Sequence, residues 1–156
     1  CGPGHGISIG SLGKYKNEKP VVGVYVTDSI ISGTDNGLRI KSWPARESGI
    51  ATEMHFQNIL MENVSNPILI DQIYCPWNQC NNKMPSKVQI SNVSFRNITG
   101  TSFTPVAVQL SCSSGYPCKN VMLTDIDLKY TGPVAFGPAK SVCAHVKPMI
   151  NGKHNP

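Results

Sequence analysis

The sequence predicts an all-β chain wound as a parallel β-helix, and three observations carry that expectation. Charged residues make up 15% of the 156 positions against 40% hydrophobic, with 14 Gly and 12 Pro, a balance that suits many short strands and turns better than a helical bundle. Four segments repeat apolar alternation around one Asn or Asp: Val24-Tyr-Val-Thr-Asp28-Ser-Ile-Ile31, Met54-His-Phe-Gln-Asn58-Ile-Leu-Met61, Val88-Gln-Ile-Ser-Asn92-Val-Ser-Phe95 and Val121-Met-Leu-Thr-Asp125-Ile-Asp-Leu128. Their period is close to two, which is that of a strand, with a turn-former at one place. The polar residue recurs after 30, 34 and 33 residues, the range of stacked structural repeats. Repeats that contain only short strands assemble most naturally as coils of a parallel β-helix, with rungs about 4.8 Å apart. No segment keeps a 3.6-residue apolar stripe for three turns, so a helical fold fails. A β-sandwich is the runner-up. Residues 1–156 are expected to form one domain.

Taken in order, the chain opens with Cys1-Gly-Pro-Gly-His5-Gly-Ile-Ser-Ile-Gly-Ser-Leu-Gly13. Gly2, Gly4 and Gly6 permit close backbone approach and leave His5 exposed, either as a plain loop histidine or as a group that orients a catalytic neighbour. The stretch is no phosphate loop, because it lacks the lysine and Ser/Thr such a loop needs. Ile7-Ser-Ile9 starts the first strand with no cap before it, so further coils are expected upstream of Cys1.

In Leu38-Arg39-Ile40-Lys41 the apolar pair continues the inward phase, which directs Arg39 and Lys41 outward on one strand face. Two cations about 7 Å apart gain nothing from each other, and the pattern fits either a site for carboxylates or a solvated strand face. One coil later, Ile68 and Ile70 repeat the phase, which puts Asp71 next to Lys41. Asp71 is read either as a salt-bridge partner of Lys41 or as a site carboxylate. No second carboxylate accompanies it to make the pair that glycoside hydrolysis commonly uses. Trp43 and Trp77 follow the two candidate strands, where each could stack on a sugar or pack in a turn.

Six cysteines are present. Cys75–Cys80 and Cys112–Cys118 are short loops that local disulfides could close, and no matching His or second CxxC suggests zinc. Cys1 and Cys143 remain, to pair with each other or with partners elsewhere. Sequons at Asn63, Asn92 and Asn97, together with the cysteines, favour an oxidising secretory compartment over chance occurrence in an Asn-rich cytosolic chain. No run approaches the roughly 18 apolar residues a membrane span needs. The net charge of +5 makes a polyanionic partner plausible. The bases are scattered without interleaved aromatics, which argues against nucleic acid. No serine sits in a nucleophile elbow, so acyl transfer has no support.

These motifs, in this order, resemble the polygalacturonases: the glycine-flanked His5, then Asn36-Gly-Leu-Arg39-Ile-Lys41-Ser-Trp, then Ile70-Asp-Gln-Ile-Tyr74-Cys75. The resemblance looks closest to the plant enzymes, and Cys75-Pro-Trp-Asn-Gln-Cys80 leans towards the exo-acting pollen type. It implies a right-handed parallel β-helix of which these are the C-terminal coils, and hydrolysis of α-1,4-galacturonan with inversion. His5 is implied beside the catalytic carboxylates, and Arg39, Lys41 and Tyr74 as substrate-binding residues. The aspartates of the family's Asn-Thr-Asp and Asp-Asp motifs would precede Cys1, since neither motif occurs here. Cys1 would then pair upstream, and Cys143 with a cysteine nearer the family's C-terminus. No metal or other cofactor is implied. The expected partner is polygalacturonate or pectin, and the expected protein is a secreted, cell-wall monomer. A non-catalytic pectin-binding module is the alternative; a calcium-dependent lyase ranks third, because outward carboxylates are few.

Overall fold

A computed structural model describes residues 1–81, 83–133 and 137–156. Among these residues ten strands alternate between two parallel sheets. The first sheet runs β1 (Ile7–Leu12), β3 (Leu38–Ser42), β5 (Ile68–Asp71), β7 (Val106–Ser111) and β9 (Lys140–Ala144). The second runs β2 (Val21–Ser32), β4 (Gly49–Val64), β6 (Val88–Ser102), β8 (Lys119–Tyr130) and β10 (Met149–Asn155) in the same sequence. Each coil contributes one strand to each sheet, so the chain is the parallel β-solenoid that the repeat implied. Among the described residues there is no α-helix, only a single irregular turn at Pro76–Asn78 in which Trp77 and Asn78 have positive φ.

Inward rows fill the space between the sheets. Leu38, Ile68 and Val108 form one row and Ile40, Ile70 and Leu110 another, all fully buried. From the second sheet, Val26, Phe56, Phe95 and Leu123 lie side by side, with the Phe56 and Phe95 rings stacked 5.1 Å apart. Ladders of like residues arise because every coil repeats the same in/out phase one rung higher.

The long strands of the second sheet bend where residues adopt positive φ. Asp28, Asn58, Asn97 and Asp125 form one such column, with φ between 52° and 56°. Gly23, Glu53, Asn92 and Asn120 form a second. Asn and Asp tolerate this left-handed conformation better than other side-chain-bearing residues, and here their side chains also bond from coil to coil. Asn58 Nδ2 donates to Asp28 Oδ1 at 3.0 Å, and Asn97 Nδ2 to Asn58 Oδ1 at 2.9 Å. This register corrects the spacing read from the sequence. Asn97, and not Asn92, continues the column of Asp28 and Asn58, so the true intervals are 30, 39 and 28. Residues 72–87 form a long connection in that coil and stretch the interval; apolar alternation on both sides of Asn92 disguised the shift.

Both short disulfides form, Cys75–Cys80 and Cys112–Cys118. Cys1 and Cys143 are free thiols. Cys1 precedes β1 and Cys143 lies in β9, four rungs or about 19 Å away along the solenoid, so they do not pair with each other.

Candidate substrate-binding face

The first sheet carries the candidate residues on its outer side. Alternation in β3 buries Leu38, Ile40 and Ser42 and leaves Arg39 and Lys41 half-exposed. Arg39 stands beside Ser8 of β1, whose Oγ accepts from Nε at 3.0 Å. That bond aims the guanidinium and leaves its forked end open. Lys41 stands beside Asp71 of β5. Among the described residues neither cation makes a direct ion pair with a carboxylate. Asp71 therefore interacts with Lys41 as a neighbouring charge and not through a close salt bridge.

Tyr74 joins the two cations. Its ring lies 4.6 Å from Lys41 Nζ and 5.9 Å from Arg39 Cζ, and it meets the Trp43 ring edge-on at 5.8 Å. Cations over an aromatic face are held without being neutralised, so their charge remains available to an anion. Trp43 is 4% exposed and so is a packing residue. Of the two readings offered for it, sugar stacking is thereby removed.

Burial raises the Asp71 carboxyl above the usual carboxylate range; the Ile73 N–H, donating at 3.1 Å, and the charges of Arg39 and Lys41 oppose that rise. Because the folded value is the higher one, this group favours the folded state at low pH, and that advantage is lost as pH rises through the ordinary value to the raised one. Asp71→Asn keeps an acceptor for Ile73. It is expected to melt at a higher temperature than the parent at pH 7, with the gain disappearing below about pH 3. Thermal denaturation of the two proteins across that range checks it, and an equal gain at both ends would refute it.

His5 lies on the connection that leads into β1 and is 83% exposed on its side chain. The glycines around it serve chain packing more than ligand approach. A Cβ at Gly2 would collide with the Ser32 carbonyl and one at Gly6 with the Asn36 carbonyl, both in the next coil, and both glycines have positive φ. Beside His5 is a residue that the sequence reading missed, Asp35, whose Oδ2 lies 3.5 Å from His5 Nδ1. The Asp35 N–H donates to the Gly4 carbonyl at 2.8 Å, which locks the two turns together. The only hint was the Thr34-Asp-Asn-Gly37 turn cluster shortly before Arg39. His5 and Asp35 thus mark one end of the face, and Lys41, Asp71 and Tyr74 the other.

One hydrogen-bonded trio sits away from this face. On the second sheet His55 Nδ1 is 2.7 Å from Ser94 Oγ and His55 Nε2 is 2.9 Å from Glu53 Oε2. Ser94 is in mid-strand, not on the sharp turn that presents a nucleophilic serine, so the trio reads as a cross-strand tie.

The family model for glycosyl hydrolases family 28 matches residues 1–152. The chain belongs to that family. Over its whole length this family 28 chain is 59% identical to an exopolygalacturonase from Oenothera organensis, of which it covers 42%. It is 55% identical to a polygalacturonase from Nicotiana tabacum, covering 39% of it, and 52% identical to an exopolygalacturonase from Platanus acerifolia, covering 41%. The chain therefore spans about two fifths of the length of these relatives. The resemblance stated from the motifs is borne out at the level of the family.

Proposed function

We propose that the full-length protein is a secreted glycoside hydrolase of cell-wall pectin that cleaves α-1,4-linked polygalacturonate with inversion, from chain ends. In this reading the chain described here supplies one side of the binding cleft, and carboxylates from coils before Cys1 supply the acid and base. The observation that carries it is the pair Arg39 and Lys41, oriented by Ser8 and Tyr74 and left without ion-pair partners among the described residues. A substrate with a carboxylate on every sugar would complete that electrostatic arrangement. His5, held by Asp35, would orient a catalytic group at the other end. The relatives named exopolygalacturonase support action from chain ends.

Full-length protein incubated with polygalacturonate should release galacturonate monomer as its first product. Early mixtures of longer oligomers would sink the exo assignment, and no reducing ends at all would sink the hydrolase. A second reading, a non-catalytic pectin-binding module, applies to residues 1–156 alone, because among the described residues Asp71 stands beside Lys41 while Asp35 stands beside His5 at the opposite end of the face, so the two make no carboxylate pair. Salt-sensitive pectin binding by this piece without cleavage is its signature.

Secretion would expose the three sequons to glycosylation, but the fold does not treat them equally. Asn97, itself exposed, and half-buried Asn92 use their side-chain amides in bonds between coils of the second sheet, donating to Asn58 Oδ1 and to Thr52 Oγ1 respectively. Asn63 is exposed, and its side-chain amide makes no hydrogen bond among the described residues. A glycan is expected at Asn63 and not at Asn92 or Asn97. Site-resolved mass spectrometry of the secreted protein measures this, and occupancy at Asn97 comparable to that at Asn63 would contradict it.

A further inference from the structure

The connection between β5 and β6 exposes the apolar side chains of Ile73, Trp77 and Met84, and Trp77 is the largest and most exposed of the three. Trp77 is 85% exposed, so its large apolar ring contributes nothing to the core. The loop beneath it is nevertheless well anchored. Disulfide Cys75–Cys80 closes it around Trp77. At its base, buried Gln72 donates to Ser42 Oγ and to the Val88 carbonyl, and accepts from the Ser113 N–H. At its far end buried Ser86 bonds Ser42 Oγ at 2.8 Å, and its carbonyl accepts from Ser113 Oγ at 2.6 Å. Because the backbone beneath it is anchored, binding at Trp77 orders its side chain and not the loop, and the large ring area is available to a ligand at that cost alone.

The loop also connects to the cationic face. Arg46, itself exposed, lies with Cζ 4.9 Å from the Trp43 ring centroid, and its Nη2 donates to the Gln79 carbonyl at 3.4 Å, two residues from Trp77. Trp43 touches Tyr74, and Tyr74 lies under Lys41. A continuous chain of contacts therefore leads from Lys41 through Tyr74 and Trp43 to Arg46 and the Trp77 loop. Lys14 Nζ adds a further cation 5.0 Å from the Trp43 ring.

We propose that Trp77 and Arg46 form a further uronate-binding subsite, beyond the one built from Arg39, Lys41 and Tyr74. The C–H face of a pyranose ring would lie on the indole and its carboxylate would meet the Arg46 guanidinium. This rests on the polygalacturonate reading above and extends it to a site that engages a second sugar of the same chain, making affinity depend on substrate length.

The test uses full-length protein, with digalacturonate, longer oligogalacturonates and polygalacturonate as substrates. Trp77→Ala is expected to raise KM for the long substrates about three- to tenfold, the scale of one aromatic contact, with kcat and melting temperature unchanged and digalacturonate kinetics as in the parent. Trp77→Phe should recover most of the loss, and Arg46→Gln should raise KM for long substrates and flatten its dependence on salt. Unchanged KM in active Trp77→Ala protein, or an equal rise for digalacturonate and polymer, overturns the subsite and leaves the hydrolase reading standing. A parent protein that cleaves none of these substrates overturns both.

Discussion

Lys41→Ala in the full-length protein is expected to lower kcat/KM on polygalacturonate roughly ten- to hundredfold, and Arg39→Ala to lower it at least as far. The scale is that of one charge-assisted hydrogen bond, about 1.5–3 kcal/mol, at about 1.36 kcal/mol per factor of ten. Arg39 has the stronger claim because Ser8 fixes its Nε at 3.0 Å, which leaves a planar fork suited to two carboxylate oxygens. Arg39→Lys should therefore rescue poorly. Stability separates this from mere structural damage. Neither cation gives up a direct ion pair when removed; what is lost is the contact with the Tyr74 ring, the favourable charge near Asp71 and, for Arg39, the bond to Ser8, so melting temperatures should fall only slightly. Steady-state kinetics at two salt concentrations, paired with thermal denaturation, decide the matter. A parent-like kcat/KM in either alanine variant would remove the carboxylate-binding role of that residue.

Phe95→Ala is expected to destabilise the chain by about 3–5 kcal/mol. Phe95 is fully buried and stacks on Phe56 with rings 5.1 Å apart and 10° from parallel. The pair occupies the middle coils, between Val26 and Leu123 of the neighbouring rungs. A cavity there cannot be filled from solvent-facing residues, and it weakens the contacts of both adjoining coils, because a solenoid is stable through its nearest-neighbour interfaces. Urea denaturation should show a lower midpoint with an unchanged slope. Phe95→Leu, which keeps most of the volume, should cost far less. A loss below about 1 kcal/mol for the alanine variant would mean that the coils relax around the gap, contrary to the packing described.

The sequence was readable where chemistry and period are local. Alternation placed Leu38 and Ile40 inward and Arg39 and Lys41 outward, and a thirty-residue step set Asp71 beside Lys41, as the register of β3 and β5 has it. The short disulfides could be named because each closes a loop of a few residues. The Asn92 register was misread for an equally physical reason. Spacing along a chain does not distinguish a longer coil from a shifted column when apolar alternation continues on both sides, and the 72–87 connection lengthens that coil without disturbing the strand pattern.

The sequence alone thus determined the parallel solenoid, the strand phase and the cationic pair, since each follows from residue type at fixed period. Only the tertiary structure decided that Asp35 meets His5, that Trp43 is buried while Trp77 stands exposed, and that Asn63 differs from Asn92 and Asn97. Those distinctions depend on which coil lies above and below each residue. In a solenoid such contacts join positions in neighbouring coils, here 28 to 40 residues apart for the asparagine side chains, with the exact offset set by loop lengths that carry no period of their own.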